Sequence, residues 1–167
     1  MEELFDLPFQ TKQLCVSDRP LRGYKRLSLR EGLSNESILI DDANVAENIE
    51  QRLTKIVWPR GNSNFSKTLF SYSELASGLE KKIRRMILEC FGVEKYADEL
   101  IDSTNYMTKH GEWISVKPSP DSFIVMTGES LTVWLNGRLP SVNHRVMVTQ
   151  NKARYFVGLF AAPKGGY

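Results

Sequence analysis

Two side chains able to do chemistry stand ten positions apart, His144 and Arg154, within GESLTVWLNGRLPSVNHRVMVTQNKARYFVGLF at 128–160. An imidazole is a metal ligand, and an arginine fork grips a carboxylate through two parallel hydrogen bonds. A ten-residue step between them suits two adjacent antiparallel strands. Taken singly, each has a plain structural use: a lone histidine on a strand is usually a packed residue, and a lone arginine a surface or ion-paired one. The other of the two histidines is His110, in His110-Gly111-Glu112. The sequence has no P-loop, G-x-G-x-x-G, H-E-x-x-H or G-x-S-x-G, which leaves little other chemistry to consider.

The elements that must position these residues change character near residue 110. Before it the pattern is helical. Leu75, Leu79, Ile83 and Ile87 recur at i+4 in a helix expected over about Ser66–Phe91, with Met86 and Cys90 flanking its apolar face and Gly92 as its stop. A further short helix is expected over Val93–Ser103, and a weaker one over Ala43–Val57, capped by Asp41-Asp42 and ended by Pro59. The first forty residues carry turn signals but no assignable element. From Glu112 onward the texture is strand and turn: Glu112–Val116, Ser122–Met126, Ser130–Leu135, Val142–Thr149 and Ala153–Phe160. Thr127-Gly128 and Asn136-Gly137 read as turns between strands.

The totals restrict the function classes. A chain of 167 residues with 41% hydrophobic and 25% charged residues is an ordinary globular one. A net charge of +2 is too mild to point to nucleic acid or a membrane surface. The two cysteines, Cys15 and Cys90, are too few for a disulfide framework or zinc cluster. No apolar run reaches the ~18 residues of a membrane span, and the acidic start MEELFDLPFQ is unlike a signal peptide. These features point to a cytoplasmic setting.

The frame around His144 and Arg154 is more informative than either residue. The pattern G-E-W-I-x-V-x-P-x-P-x-S at 111–122, G-x-x-L-x-x-W-x-N-G-R at 128–138, S-x-x-H-R-V at 141–146 and A-R-Y at 153–155 resembles the C-terminal half of plant 2-oxoglutarate- and Fe(II)-dependent dioxygenases. LFDLPFQTK at 4–12, IDDANV at 40–45, WPRGN at 58–62 and GVEKY at 92–96 are similar to the family's N-terminal region, nearest to the AOP group that modifies side chains of aliphatic glucosinolates. The resemblance implies an α+β fold: N-terminal helices over 1–107, packed on a partial antiparallel jelly roll (double-stranded β-helix) over 108–167. It implies Fe(II) held by two histidines and a carboxylate, with open positions for 2-oxoglutarate and O₂. It implies His144 as the second, distal iron histidine on an inward-facing strand, and Arg154 as the clamp on the distal carboxylate of 2-oxoglutarate.

The departures from the family pattern matter as much. The family carries a tyrosine-bearing strand and an H-x-D motif, which supplies the first histidine and the carboxylate, before G-x-W-I-x-V. Here STNYM at 103–107 runs directly into TKHGEW at 108–113. The family's Arg-x-Ser is Arg154-Tyr155-Phe156, with a ring in place of the serine hydroxyl. The opening strand is absent, and the chain ends before the family's usual C-terminal segment. His110 and Glu112 read as H-x-E but fall in the turn before the G-E-W-I strand. The expectation is therefore an inactive dioxygenase, with His144 and Arg154 vestigial and neither Fe(II) nor 2-oxoglutarate held productively. Two other readings stand beside it: a working enzyme with an unusual site built from His110, Glu112 and His144, and a non-catalytic module. In the last, sheet edges exposed by missing strands pair with a second copy or a full-length relative.

Overall fold

The computed structural model describes residues 1–19, 22–28, 34–92, 115–116, 119, 121–141, 143–145 and 153–161. The chain divides into two compact units, Met1–Gly78 and Leu79–Tyr167. The expected junction at 107/108 lies outside the described residues, as do the short helix over 93–103 and most of the strand at 112–116.

The first unit opens with two short helices, α1 (Glu2–Phe5) and α2 (Phe9–Gln13), the second entered through Pro8 with φ −52°. A hairpin follows, β1 (Gly23–Ser28) against β2 (Ser34–Leu39), antiparallel from Gly23↔Leu39 to Ser28↔Ser34. This sheet falls where the sequence shows only turn signals. Gly23 is required at its start: φ is +71°, and a Cβ there would lie 2.5 Å from the Cys15 carbonyl oxygen. The same carbonyl accepts the Tyr24 N–H at 2.7 Å, fixing the hairpin to the end of the α2 segment.

The helix expected over 43–57 begins three residues late, as α3 (Ala46–Ile49), and continues through a π-helical turn (Glu50–Thr54) into α4 (Lys55–Val57). Asp41 does not cap it. Its carboxylate is taken by Arg22 Nε at 2.5 Å and Arg19 Nη1 at 3.2 Å, and Val45 occupies the cap position. Pro59 ends the run by forcing Trp58 out of the helical region, to φ −127° and ψ 89°. Leu4, Cys15, Leu53 and Val57 form the core, with Phe5, Tyr24, Ile38, Trp58, Phe65 and Leu69 packed on it.

The long helix α5 spans Ser63–Cys90. It starts before Ser66 because Asn62 caps it, Oδ1 accepting the Phe65 N–H at 3.1 Å. It stops as expected at Gly92, with φ +67°. Its faces differ from the expected stripe: Leu75 and Cys90 are exposed, whereas Leu88 is fully buried. The reason is geometric. Residues four apart advance by about 40° beyond a full turn, so Leu75 and Ile87 differ by about 120° in direction.

In the second unit Leu88 and Leu135 are fully buried and gather Ile87, Phe91, Leu131 and Leu139. The expected strand at Ser130–Leu135 is a helix, α6 (Glu129–Trp134). Leu131 and Leu135 sit one turn apart and turn inward together, which a strand's alternation would also allow but without local hydrogen bonds. The helix supplies those bonds: Thr132 N–H to Gly128 O at 2.9 Å and Leu135 N–H to Leu131 O at 2.9 Å. Asn136-Gly137, expected as a hairpin turn, is instead the helix stop. Both residues have positive φ, and the Gly137 N–H reaches back to Thr132 O at 2.8 Å. Residues 115–116, 122–126, 143–145 and 153–160 form no strand. Helices and one two-stranded antiparallel sheet therefore make up the regular structure of the described residues.

Candidate functional site

His144 and Arg154 lie in the second unit, both exposed and both outside any strand. The inward-facing strand position expected for His144 is thus not the one observed. Residues 153–161 alternate regularly: Tyr155, Val157, Leu159 and Ala161 are half-buried, and Arg154, Phe156, Gly158 and Phe160 are exposed. That period of two belongs to an extended chain. It sets Arg154 and Phe156 on one side of the segment.

Among the described residues no three histidine, cysteine, aspartate or glutamate side chains gather to hold an ion. His110 and Glu112 lie outside the described residues. An exposed imidazole competes with water for any metal it meets, and an exposed guanidinium has little advantage over bulk solvent in binding a carboxylate.

Among the described residues, the buried polar side chains Lys12, Thr54 and Ser73 are in the first unit, and sequence reading missed them. Lys12 is buried; its ammonium donates to Phe5 O and to Glu36 Oε2, both at 2.6 Å, and stands 5.9 Å from the Tyr24 ring centre. The Tyr24 hydroxyl is sealed from solvent and makes no hydrogen bond. Burial first, then the nearby Glu36 carboxylate, pushes its pKa up. Glu36 acts both through its charge and through a side-chain contact with the hydroxyl that is too loose to satisfy it. Beside the π-helical turn, Ser66 Oγ–H donates to Glu50 Oε2 at 2.7 Å and sits 2.8 Å from Thr54 Oγ1. Glu50 and Ser66 also line an open groove of about 300 Å³ with Ala46, Glu47, Lys67 and Phe70. Ser66 thus sets a hydroxyl against the Glu50 carboxylate, and that bond ties α5 to the π-helical turn. A signal for the Lys12 pair was absent, because the 24 positions from Lys12 to Glu36 exceed any local spacing rule.

Comparison with known proteins gives these placements their context. Residues 93–163 match the 2OG-Fe(II) oxygenase superfamily. The chain is 38% identical over 213 positions to the Arabidopsis thaliana protein described as "Probable 2-oxoglutarate-dependent dioxygenase AOP1.2", covering 99% of this chain and 64% of that one. An AOP1 protein of the same plant is 38% identical, with 99% of this chain and 68% of that one covered. A third, "Probable inactive 2-oxoglutarate-dependent dioxygenase AOP2", is 40% identical over 71% of this chain and 29% of its own length. The chain spans about two thirds of the AOP1 relatives it matches. The 213 aligned positions exceed the 167 residues here, so at least 46 positions of the alignment have no residue of this chain. No helix among the described residues is long and apolar enough to cross a membrane. With the H-R-V and A-R-Y frame and identity of this extent, the chain belongs to the 2-oxoglutarate- and Fe(II)-dependent dioxygenases, alongside the AOP proteins of Arabidopsis.

Proposed function

We propose that this chain is a catalytically inactive member of its family, a product of a gene whose relatives oxidise side chains of aliphatic glucosinolates. In this reading its fold is helices packed on a partial jelly roll, joined near 107/108. The observation that carries the reading is the length mismatch: at least 46 aligned positions without a residue here. The sequence runs from STNYM straight to TKHGEW where the family keeps H-x-D, the source of the first histidine and the carboxylate. Fe(II), where a family member holds it, activates O₂ for oxidation of the substrate. In this chain His144 would offer it one donor and Arg154 would offer 2-oxoglutarate one clamp. The exposure of both residues supports a vestigial role.

The deciding experiment is anaerobic reconstitution with Fe(II), followed by metal analysis and by assay of succinate release from 2-oxoglutarate. The expected result is no stoichiometric iron and no succinate above a protein-free control. Iron bound one to one, with succinate formed, would mean that His110, Glu112 and His144 build a working site. A sequence of the transcript across the codons for Met107 and Thr108 would tell whether a skipped exon made the junction.

A further inference from the structure

Two helical segments of the first unit line the open groove of about 300 Å³. The α3 helix and the π-helical turn supply Ala46, Glu47 and Glu50, and α5 supplies Ser66, Lys67 and Phe70. Glu47 and Glu50 stand three positions apart and Ser66 and Phe70 four, so each pair shares a helix face. Glu50 and Thr54 bound the π-helical turn, and both bond the Ser66 hydroxyl. The Glu50 carboxylate is thereby held in one orientation on a half-buried residue. Its Oε2 takes the Ser66 proton, and its Oε1 has no partner among the described residues. Lys67 lines the same groove, yet it makes an ion pair with neither Glu47 nor Glu50.

We propose that this groove binds a small organic ammonium, a primary amine carried on a short apolar chain. The charge sits at Glu50 and Glu47, and the chain lies along Phe70 and Ala46. Each part of the lining has its counterpart in such a ligand. A carboxylate partly withdrawn from water attracts a cation more strongly than one in bulk solvent. A primary ammonium has three N–H donors, which suits Glu50 Oε1, the Glu47 carboxylate and a water at the open side. An inorganic cation would gain nothing from Phe70 and Ala46, and a carboxylate ligand would meet two like charges. The volume lies at the small end of ligand pockets, which fits a small molecule better than a folded partner. A π-helical turn in the lining is a backbone irregularity that frequently marks functional positions. The inference is independent of whether the chain binds iron.

Amide chemical shifts of the full chain, followed as 2-phenylethylamine is added, test it. The expected result is saturable shifts at Ala46, Glu47, Ser66 and Lys67 with Kd below ~10 mM, a range open to a ligand of this size. 2-Phenylethanol and 3-phenylpropionate keep the ring and the two-carbon chain without the positive charge, and should bind at least about tenfold more weakly. Methylammonium, which has the charge without the apolar chain, should be weaker by a similar factor. Glu50→Gln keeps an oxygen to accept from Ser66 but removes the charge. It should weaken binding of the amine at least about tenfold while the hairpin amides keep their parent shifts. Glu47→Gln, at an exposed position, should weaken it by about threefold. No saturation below ~10 mM would overturn the proposal. So would equal binding of the alcohol, the acid or methylammonium, unchanged affinity in both glutamine variants, or saturable shifts confined to other residues.

Discussion

The Lys12 ammonium and the Glu36 carboxylate stand 2.6 Å apart, with the lysine side chain 6% exposed and the glutamate 20%. This pair ties α2 to β2 and so joins the N-terminal helices to the hairpin. Breaking it by Glu36→Gln leaves a buried ammonium with the Phe5 carbonyl but no counter-charge. The first unit should lose ~1.5–3 kcal/mol, the worth of a charged hydrogen bond, read as a lower urea midpoint of the hairpin's protected amides. Replacing Lys12 and Glu36 together by methionine should cost less than either single change.

Tyr24→Phe should stabilise the first unit. The hydroxyl it removes is enclosed and unbonded, and a group of that kind costs ~1–3 kcal/mol. The sign of the pH effect follows from the raised pKa. A native state that holds the phenolic proton more tightly than the unfolded chain keeps its stability below about pH 10 and loses it as pH climbs through the folded value. The variant should therefore lose less stability between neutral and alkaline pH than the parent. An unchanged slope in urea midpoints across that range would contradict this.

The two thiols should react in separate phases. Cys90 is exposed and Cys15 buried, and burial also pushes the Cys15 pKa up, lowering its thiolate fraction. A chromogenic disulfide reagent should label Cys90 at the rate of a free thiol, and Cys15 only through opening of the first unit. Urea should merge the two phases. Cys90→Ser should abolish the fast one alone.

Binding of 2-oxoglutarate should be weaker than ~1 mM with or without Mn(II). An arginine fork contributes ~3–6 kcal/mol in two charged hydrogen bonds, against the ~4–15 kcal/mol lost in ligand freedom. Neither Arg154→Ala nor Phe156→Ser should change the result. Calorimetric titration that finds metal-dependent micromolar binding would refute it.

The long helix was legible because Leu79, Ile83 and Ile87 repeat at helical spacing and Gly92 follows. Its true start was also written in Asn62-Ser63, a capping pair that an apolar stripe does not reveal. The hairpin at 23–39 was not legible. Its strands GYKRLS and SNESIL carry few apolar residues, and their pairing is held by Lys12 from a distant helix. For Thr132-Val133-Trp134, β propensity favoured a strand, and local helical bonds won in this structure. The motif around His144 and Arg154 identified the family, because it is a pattern of residue types. Their exposure was not legible, since burial depends on which other strands are present.

Among the described residues, the core cluster of the first unit and the hydrophobic side chains packed on it run from Leu4 to Leu69. That cluster draws on α1, Cys15 just after α2, the hairpin, the α3–α4 run and the start of α5, so sequence drift in any one of them is felt by the others.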